Sequence, residues 1–290
     1  MRRSGLLLVV VSALAGCGGD DAGGDPDARP ADPAPDLDDR AAWVRVSLAT
    51  YEGGGSTYIT GNLISDPPLW PYDVEAIDGA CRFATRQTDD CVPFCEWNQA
   101  CVGGACVSPP LVRDAGTLSI DGGGSGGSIA VPFEDGFYQR FDQTLRFPPG
   151  ATLTVSAPGA DFAAFSFAAV APAPLTLVGI DELRLRTGTP MTIRWQPADP
   201  GSRVRVTMGA DLGHAFFRSV VVECDAPDEH GAITVPQHMV DRLADPQHWG
   251  CGDCFSQEVR RYRRARTTAG SVPLDLWLNQ IASFYLYPER

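Results

Sequence analysis

Residues 203–208 read Arg-Val-Arg-Val-Thr-Met, and this alternation decides the fold class of the chain. The apolar residues occupy the even positions and the polar residues the odd positions. Successive side chains of a β-strand point to opposite faces, so this pattern is typical of a strand with one buried face. The segment therefore predicts a half-buried strand in a β-rich domain.

Short apolar runs of the same kind recur from residue 115 onward, separated by Gly, Pro and Asp at roughly even spacing. Many short strands with regular turn signals are typical of a β-sandwich or barrel. One helix is predicted, from Gln237 to Ala244, because Pro236 stands at a plausible first-turn position. The predicted strands are Thr117–Ile120, Ser128–Phe133, Thr152–Ser156, Phe162–Ala169, Leu175–Val178, Met191–Trp195, Val204–Met208, Ser219–Cys224, Ala232–Val235, Leu274–Leu278 and Ser283–Tyr287.

The part of the chain before residue 113 differs in composition and in its predicted elements. Trp43–Tyr51 and Thr57–Ile64 predict two strands joined by a Gly-rich turn. Residues 78–108 are poor in large aliphatic side chains and dense in cysteine, which indicates a small loop module held by disulfides. We therefore predict an all-β chain, with a β-hairpin plus cysteine-rich module in 42–112 and a β-sandwich domain in 113–290.

The first 16 residues have the layout of an export signal. Arg2 and Arg3 are followed by an apolar run from Leu6 to Leu14 and by small residues that end at Cys17. The run is too short to span a bilayer, which takes about 20 residues. We expect residues 1–16 to be removed and residues 17–41, rich in Asp and Pro, to form a disordered acidic tether.

Nine cysteines constrain the fold further. Leu14-Ala15-Gly16-Cys17 resembles the lipobox of bacterial lipoproteins, and this resemblance implies lipid on Cys17. Five cysteines then remain before residue 110 and three after residue 220. Because both counts are odd, at least one disulfide must join the two regions if all eight pair within the chain. We prefer the interleaved bonds Cys91–Cys101 and Cys95–Cys106, with Cys81 left for the bond between regions. The expected disulfide set is Cys81, Cys91, Cys95, Cys101, Cys106, Cys224, Cys251 and Cys254; two free thiols, or a bond to a partner, are the alternative.

The sequence contains only weak patterns for metal-binding or redox sites. The four cysteines of residues 91–106 lack the tight pair typical of zinc sites, so no metal is expected there. Cys251-Gly-Asp-Cys254 lacks the surrounding strand and helix of a redox motif. Asp225, Asp228, Glu229 and His230 could supply calcium ligands or form an ordinary turn. No catalytic residue and no cofactor are predicted.

Residues 260–266 form the one strongly basic run of the chain. Arginine binds phosphate and carboxylate groups in bidentate fashion, so the run is a candidate anion-binding site, and a solvated face is the simpler alternative. The formal charge of the whole chain is −13, which argues against nucleic acid as a partner. The candidate anion-binding residues are Arg260, Arg261, Arg263 and Arg264.

Two resemblances bear on location. Leu14-Ala15-Gly16-Cys17 resembles the lipobox of bacterial lipoproteins, which implies lipid on Cys17 and, with Gly18 next, attachment to the outer membrane. The cysteine spacing of residues 81–107 and the segment 220–236 resemble uncharacterised cysteine-rich lipoproteins of high-GC Gram-negative bacteria. That family implies location and a β-sandwich but no activity.

These observations lead to two functional expectations. The first is a membrane-anchored extracytoplasmic lipoprotein that is non-enzymatic and binds an envelope polysaccharide or another envelope protein. The alternative is a carbohydrate-active or other hydrolytic enzyme with an unrecognised site, and a purely structural envelope component is a third reading. A concave site with convergent carboxylates would favour the enzyme, whereas an exposed aromatic or charged patch would favour the binding protein.

Overall fold

The computed structural model describes residues 42–51, 54–65, 72–85, 91–96, 99–108, 110–122, 127–143, 147–179, 182–210, 220–248 and 257–289. The export signal, the tether, Cys17, Cys251 and Cys254 lie outside these residues. The all-β prediction is confirmed, since the described chain is built mainly of strands with one short α-helix. No described helix is long and apolar enough to cross a membrane.

The first ten strands cover the chain up to residue 142. They are β1 (Ala42–Tyr51), β2 (Gly54–Asn62), β3 (Asp73–Asp78), β4 (Cys81–Thr85), β5 (Ala100–Val102), β6 (Ala105–Val107), β7 (Leu118–Asp121), β8 (Ile129–Val131), β9 (Phe133–Glu134) and β10 (Phe137–Asp142).

The rest of the chain supplies nine strands and the helix α1 (Gln237–Leu243). The strands are β11 (Thr152–Ala157), β12 (Phe165–Val170), β13 (Glu182–Leu185), β14 (Met191–Arg194), β15 (Arg203–Ala210), β16 (Val220–Pro227), β17 (Ala232–Val235), β18 (Gln257–Ala269) and β19 (Val272–Pro288). Helix α1 begins and ends within one residue of the predicted segment. Short 3-10 helices occupy Asp228–His230 and Pro246–His248.

An eleven-stranded main sheet organises the molecule, in the order β3-β4-β16-β15-β18-β19-β1-β2-β10-β9, with β13 also paired to β19. Neighbouring strands are antiparallel except where β1 and β13 run parallel to β19. The long hairpin of β18 and β19 lies in the middle of this sheet. Gly270, in the turn of the hairpin, has a positive φ of 60°. A glycine tolerates that conformation without steric cost.

Two hydrophobic cores lie along this hairpin. The first fills the space between the main sheet and a four-stranded sheet of order β12-β11-β7-β8, and it takes Leu274, Leu276 and Leu278 from β19. The second is covered by β14, β17 and α1, and it takes Phe284 and Leu286 from the same strand. One strand of 17 residues therefore contributes to both cores.

The structure differs from the expected division at residue 112. Strand β1 lies inside the main sheet between β2 and β19, and β4 pairs with β16, so the N-terminal strands are not a module of their own. The reason is burial, since β1 presents Val44, Val46 and Leu48 to the first core and each is fully buried there. Among the described residues before 113, only the cysteine-bonded loop with strands β5 and β6 forms a sheet outside the main sheet.

Three disulfides are present in the described structure. Cys91–Cys101 and Cys95–Cys106 interleave within the small loop module, as the spacing favoured. Cys81–Cys224 joins the two regions across 143 residues, and the two cysteines lie opposite each other on β4 and β16. Because these sulfurs are in disulfides, the cluster of Cys91, Cys95 and Cys106 offers no thiolate to a metal.

A buried tyrosine ties β10 to the loop that enters β7. The Tyr138 hydroxyl accepts a hydrogen bond from the Ala115 amide at 2.6 Å, and it lies 3.1 Å from an Asp114 carboxylate oxygen and 3.0 Å from the Gly116 carbonyl. Burial, together with the nearby Asp114 carboxylate, raises the pKa of Tyr138 to about 12, although the Ala115 amide acts in the opposite direction.

This shift predicts a loss of stability in alkali. An unfolded tyrosine loses its proton near pH 10, so between pH 10 and 12 the folded chain holds more protons than the unfolded chain. The free energy of unfolding should therefore fall as the pH rises through this window. Urea denaturation at a series of pH values checks this: Tyr138→Phe should flatten the decline, and equal slopes in the two proteins would contradict the assignment.

Candidate functional site

One face of the main sheet is polar although much of it is buried. Leu274, Leu276 and Leu278 point into the first core, so the alternation of β19 places Asp275 and Trp277 on the opposite face. The neighbouring strands add polar and aromatic side chains on the same face. We call this surface the polar face, and its central members are Trp43, Arg45, Arg205, Tyr262, Arg264, Arg266, Asp275, Trp277 and Asn279.

Arginines and aromatic rings stack at the centre of the polar face. The Tyr262 and Trp277 rings have centroids 5.1 Å apart. The Arg205 guanidinium carbon lies 5.0 Å from the Tyr262 centroid and 5.2 Å from that of Trp277, while the Arg264 guanidinium carbon lies 5.0 Å from Trp277. These distances fit cation–π interactions, which gain strength where water is excluded. The stack fixes the centre of the face as a rigid surface.

Two carboxylates neutralise part of this stack. Asp225 accepts hydrogen bonds from Arg203, Arg205 and the Tyr262 hydroxyl. Glu223 lies 3.5 Å from the Arg205 Nε and also pairs with Arg82. Burial raises the pKa of Tyr262 well above its usual value; the nearby Asp225 adds to this, and Arg205 opposes it. The tyrosine therefore acts as a hydrogen-bond donor in the network and not as an acid at neutral pH.

The basic run does not form one cationic patch. It lies on β18, and the alternation of the strand sends Arg261 and Arg263 to the core side and Arg260 and Arg264 to the polar face. Arg261 is fully buried against Asp228, and Arg263 donates to Asp199 at 2.7 Å. Arg260 pairs with Glu258, and Arg264 lies 3.9 Å from Asp275.

The proposed calcium ligands are also separated. Asp225 belongs to the polar face, whereas the Asp228 carboxylate faces the other side and accepts from Arg261 and from the Ala198 and Asp199 amides. Glu229 and His230 are exposed in the turn before Gly231. The arrangement matches the simpler expectation of a turn, which the buried arginine holds in place.

Exposed aromatic rings extend the polar face to its β10 side. Phe141 lies directly opposite Tyr58 on the neighbouring strand, and Phe137 lies on the same face of β10. The rings are 58%, 38% and 63% exposed for Phe141, Tyr58 and Phe137. Between them, Gln139 donates a hydrogen bond to the Tyr58 hydroxyl at 2.7 Å. We call Tyr58, Phe137 and Phe141 the aromatic edge.

An open cleft lies on the polar face near the turn between β18 and β19. Its volume is about 570 Å³, within the range of roughly 300–1,000 Å³ that small-molecule sites occupy. Arg266 and Asp275 face each other in its wall, with the Arg266 Nε–H donating to Asp275 Oδ1 at 2.9 Å. The described residues that line the cleft are Arg266, Thr267, Thr268, Pro273 and Asp275.

Two of the six tryptophans lie on the polar face, Trp43 and Trp277. Trp195 is part of the second core and donates its Nε1–H to the Asp228 carbonyl at 2.9 Å. The remaining three, Trp70, Trp97 and Trp249, are outside the residues that can be described. Sequence reasoning did not find the aromatic edge, because Phe137 and Phe141 sit in a segment too short and too mixed to signal an exposed face.

Comparison with known proteins gives no assignment. Neither the protein-family models nor the curated proteins with which the chain was compared yield a match. The function must therefore be argued from the site itself.

Proposed function

We propose that this chain is a lipid-anchored protein outside the cytoplasm that binds a neutral envelope polysaccharide and catalyses no reaction. The observation that supports this function is the aromatic edge on a broad, rigid sheet face. These three large rings are each more than a third exposed and are grouped on two paired strands, and grouped exposed apolar side chains mark interaction sites.

The chemistry of the aromatic edge suits a sugar polymer. A pyranose ring carries an apolar face of C–H groups, which packs against an aromatic ring and is removed from water in doing so. The hydroxyl groups of the sugar need hydrogen-bonding partners at the rim of that contact. Gln139 and the Tyr58 hydroxyl supply such groups between the two phenylalanines.

The charge balance favours a neutral polymer over an acidic one. The formal net charge of −13 repels a polyanion at long range. The arginines of the basic run have carboxylate partners within the protein, so they do not form a ready-made phosphate site. A hydroxyl-rich ligand without charge avoids both difficulties.

The cleft supports binding more than hydrolysis. Glycoside hydrolysis generally uses two carboxylic acids on either side of the bond that is cleaved. Asp275 is the one carboxylate among the described residues that line the cleft. The described lining therefore lacks the second acid that such hydrolysis uses, and we favour the binding role.

Lipid attachment at Cys17 gives this binding role a location. Residues 20–40 contain eight Asp and four Pro, a composition that suits a solvated tether between a membrane and a folded domain. Intact-mass spectrometry of the protein from its native membrane tests the anchor. An acylated N-terminal Cys17 is expected, and a mature chain that begins elsewhere or carries no lipid would overturn the attachment.

Affinity gel electrophoresis tests the binding itself. The soluble probes are a β-glucan, a galactomannan and a xylan, with acidic alginate as the comparison. Retardation by at least one neutral probe is expected, with weaker or no retardation by alginate. The double variant Phe137→Ser/Phe141→Ser should weaken that retention by at least tenfold, since it removes both exposed rings of β10.

The matched control is Ile77→Ser, which removes an apolar side chain that is 70% exposed on β3, at the opposite margin of the same sheet. This variant should bind the polysaccharide as the wild type does. The proposed function would be refuted if no neutral polysaccharide retards the wild type. It would also be refuted if the double variant binds the polysaccharide as tightly as the wild type does.

A further inference from the structure

A buried carboxylate oxygen in the wall of the cleft has no hydrogen-bond donor. Asp275 is 1% exposed, and its Oδ1 accepts from Arg266. Its Oδ2 is buried without a hydrogen-bond partner in the part of the chain that the structure describes, and Arg264 Nη1 lies 3.9 Å away. Burying an unsatisfied polar group costs about 1–3 kcal/mol, so this oxygen calls for an explanation.

An unsatisfied donor belongs to the residue that is paired with Asp275. Trp43 is directly opposite Asp275 on the neighbouring parallel strand, and its indole Nε1 is buried with no acceptor among the described residues. Neighbouring strands lie about 4.8 Å apart, and paired residues present their side chains to the same face of the sheet. One acceptor and one donor therefore remain unsatisfied on paired residues of adjacent strands, and the acceptor belongs to the lining of the cleft.

Arg266 lies on the other side of Asp275 from Trp43. It is opposite Asp275 on β18, so Arg266, Asp275 and Trp43 form one row across three strands. Its side chain is 56% exposed, whereas that of Asp275 is 2% exposed, so the arginine is the solvent-facing member of this ion pair. A ligand that enters the cleft therefore meets the Arg266 guanidinium beside the Asp275 carboxylate.

We infer that the cleft is a subsite for one neutral sugar ring, in which hydroxyl groups donate to Asp275 Oδ2 and accept from Trp43 Nε1 and the Arg266 guanidinium. A hydroxyl group both donates and accepts, which matches a row with one acceptor and two donors. An anion would meet the Asp275 carboxylate, and a cation would meet Arg266. This inference rests on the proposed function and deepens it by assigning a sugar-binding subsite to named residues.

Small ligands separate this subsite from the aromatic edge. The probes are the methyl glycosides of glucose, galactose and mannose. Their binding is measured by saturation-transfer NMR and by titration calorimetry. Asp275→Asn keeps the shape of the side chain but removes its charge, and it should weaken binding of the preferred glycoside about 10- to 100-fold, the range for one hydrogen bond to a charged group. Methyl deoxyglycosides that lack the contacting hydroxyl should lose a similar factor.

A second variant leaves the buried carboxylate unchanged. Thr268 is exposed in the lining of the cleft, and Thr268→Trp should fill the space and abolish glycoside binding. Ile77→Trp adds the same ring at an exposed position on β3 and should have no effect. The double variant Phe137→Ser/Phe141→Ser should still bind the glycoside, although it binds the polymer poorly.

The outcomes distinguish the two proposals. If the wild type is retarded by a neutral polysaccharide but Asp275→Asn and Thr268→Trp bind polymer and glycoside as tightly as it does, the subsite is wrong and the proposed function stands. If the wild type binds neither polymer nor glycoside, the proposed function fails and the subsite fails with it. Binding of the glycoside that is lost in both cleft variants and kept in the control supports the subsite.

Discussion

Replacing Arg261 with methionine is expected to lower the free energy of unfolding by about 3–5 kcal/mol, the range observed when one partner of a buried ion pair is removed. The side chains of Arg261 and Asp228 are 0% and 1% exposed, and the Arg261 Nε–H donates to Asp228 Oδ1 at 2.8 Å. Methionine fills much of the volume but leaves the Asp228 charge buried without its cation. Urea denaturation at pH 7 measures the change.

The same guanidinium joins segments that are far apart in the chain. It donates to the Gln196 carbonyl at 2.6 Å, to the Ala173 carbonyl at 3.2 Å and to the Pro174 carbonyl. Its loss therefore leaves backbone acceptors unsatisfied at the margin of the second core, which adds to the cost. Among the described residues, no surface arginine with a single carboxylate partner should approach this effect.

Two further variants make the assignment specific. Arg186→Met removes an exposed ion pair with Glu289, whose side chains are 66% and 41% exposed, and it should cost about 0–1 kcal/mol. The double variant Arg261→Met/Asp228→Asn should be less destabilised than the sum of its two single variants, because it removes both charges of the pair. Additive losses, or a loss for Arg261→Met as small as that for Arg186→Met, would contradict the account.

Removing the Cys81–Cys224 disulfide with Cys81→Ala/Cys224→Ala is expected to cost about 3–5 kcal/mol. The bond closes a loop of 143 residues, and the entropy that a cross-link removes from the unfolded chain increases with the length of the loop. The two half-cystines are 1% and 0% exposed in the second core, so the substitution also removes packed atoms. Thermal and urea unfolding under non-reducing conditions measure the loss.

The disulfide Cys95–Cys106 provides the comparison. It closes a loop of only 11 residues in the small loop module, whose strand β6 is exposed throughout. Cys95→Ala/Cys106→Ala should therefore cost clearly less and leave the cooperative unfolding of the main sheet unchanged. Equal effects of the two double variants would show that loop length and burial do not determine the contribution of these bonds.

Local features of the chain were predictable from its sequence. The alternation in residues 203–208 gave the strand β15 and its buried face, and Gln237–Leu243 forms the one described α-helix where it was expected. The odd cysteine counts predicted a bond between regions if all eight cysteines pair within the chain, and Cys81–Cys224 is such a bond. Each of these features depends on neighbouring residues or on simple counting, so no knowledge of distant contacts was needed.

The surroundings of the arginine run could not be predicted from the neighbouring residues alone. Residues 260–266 look like one basic surface in the sequence, but a strand sends alternate side chains to opposite faces. The identity of each acidic partner depends on which segment packs against that face, as with Asp228 for Arg261 and Asp199 for Arg263. If the run is assumed to be a strand, its alternation predicts that the arginines lie on two faces of the sheet. The sequence pattern does not predict which acidic residue pairs with each arginine.

The sequence by itself determined that this chain is a β-rich protein whose strands have one apolar side, since backbone geometry sets that period within a few residues. Only the tertiary structure decided that β1 lies parallel to β19, more than 200 residues away, and that Trp43 faces Asp275 across that pairing. Which strands pair depends on two opposing free-energy terms, the burial of apolar side chains in both cores and the entropy lost in closing long loops. Both terms depend on residues far apart in the chain, so no short segment determines the pairing. For the same reason the aromatic edge and the cleft, on which the proposed function depends, exist only in the folded sheet.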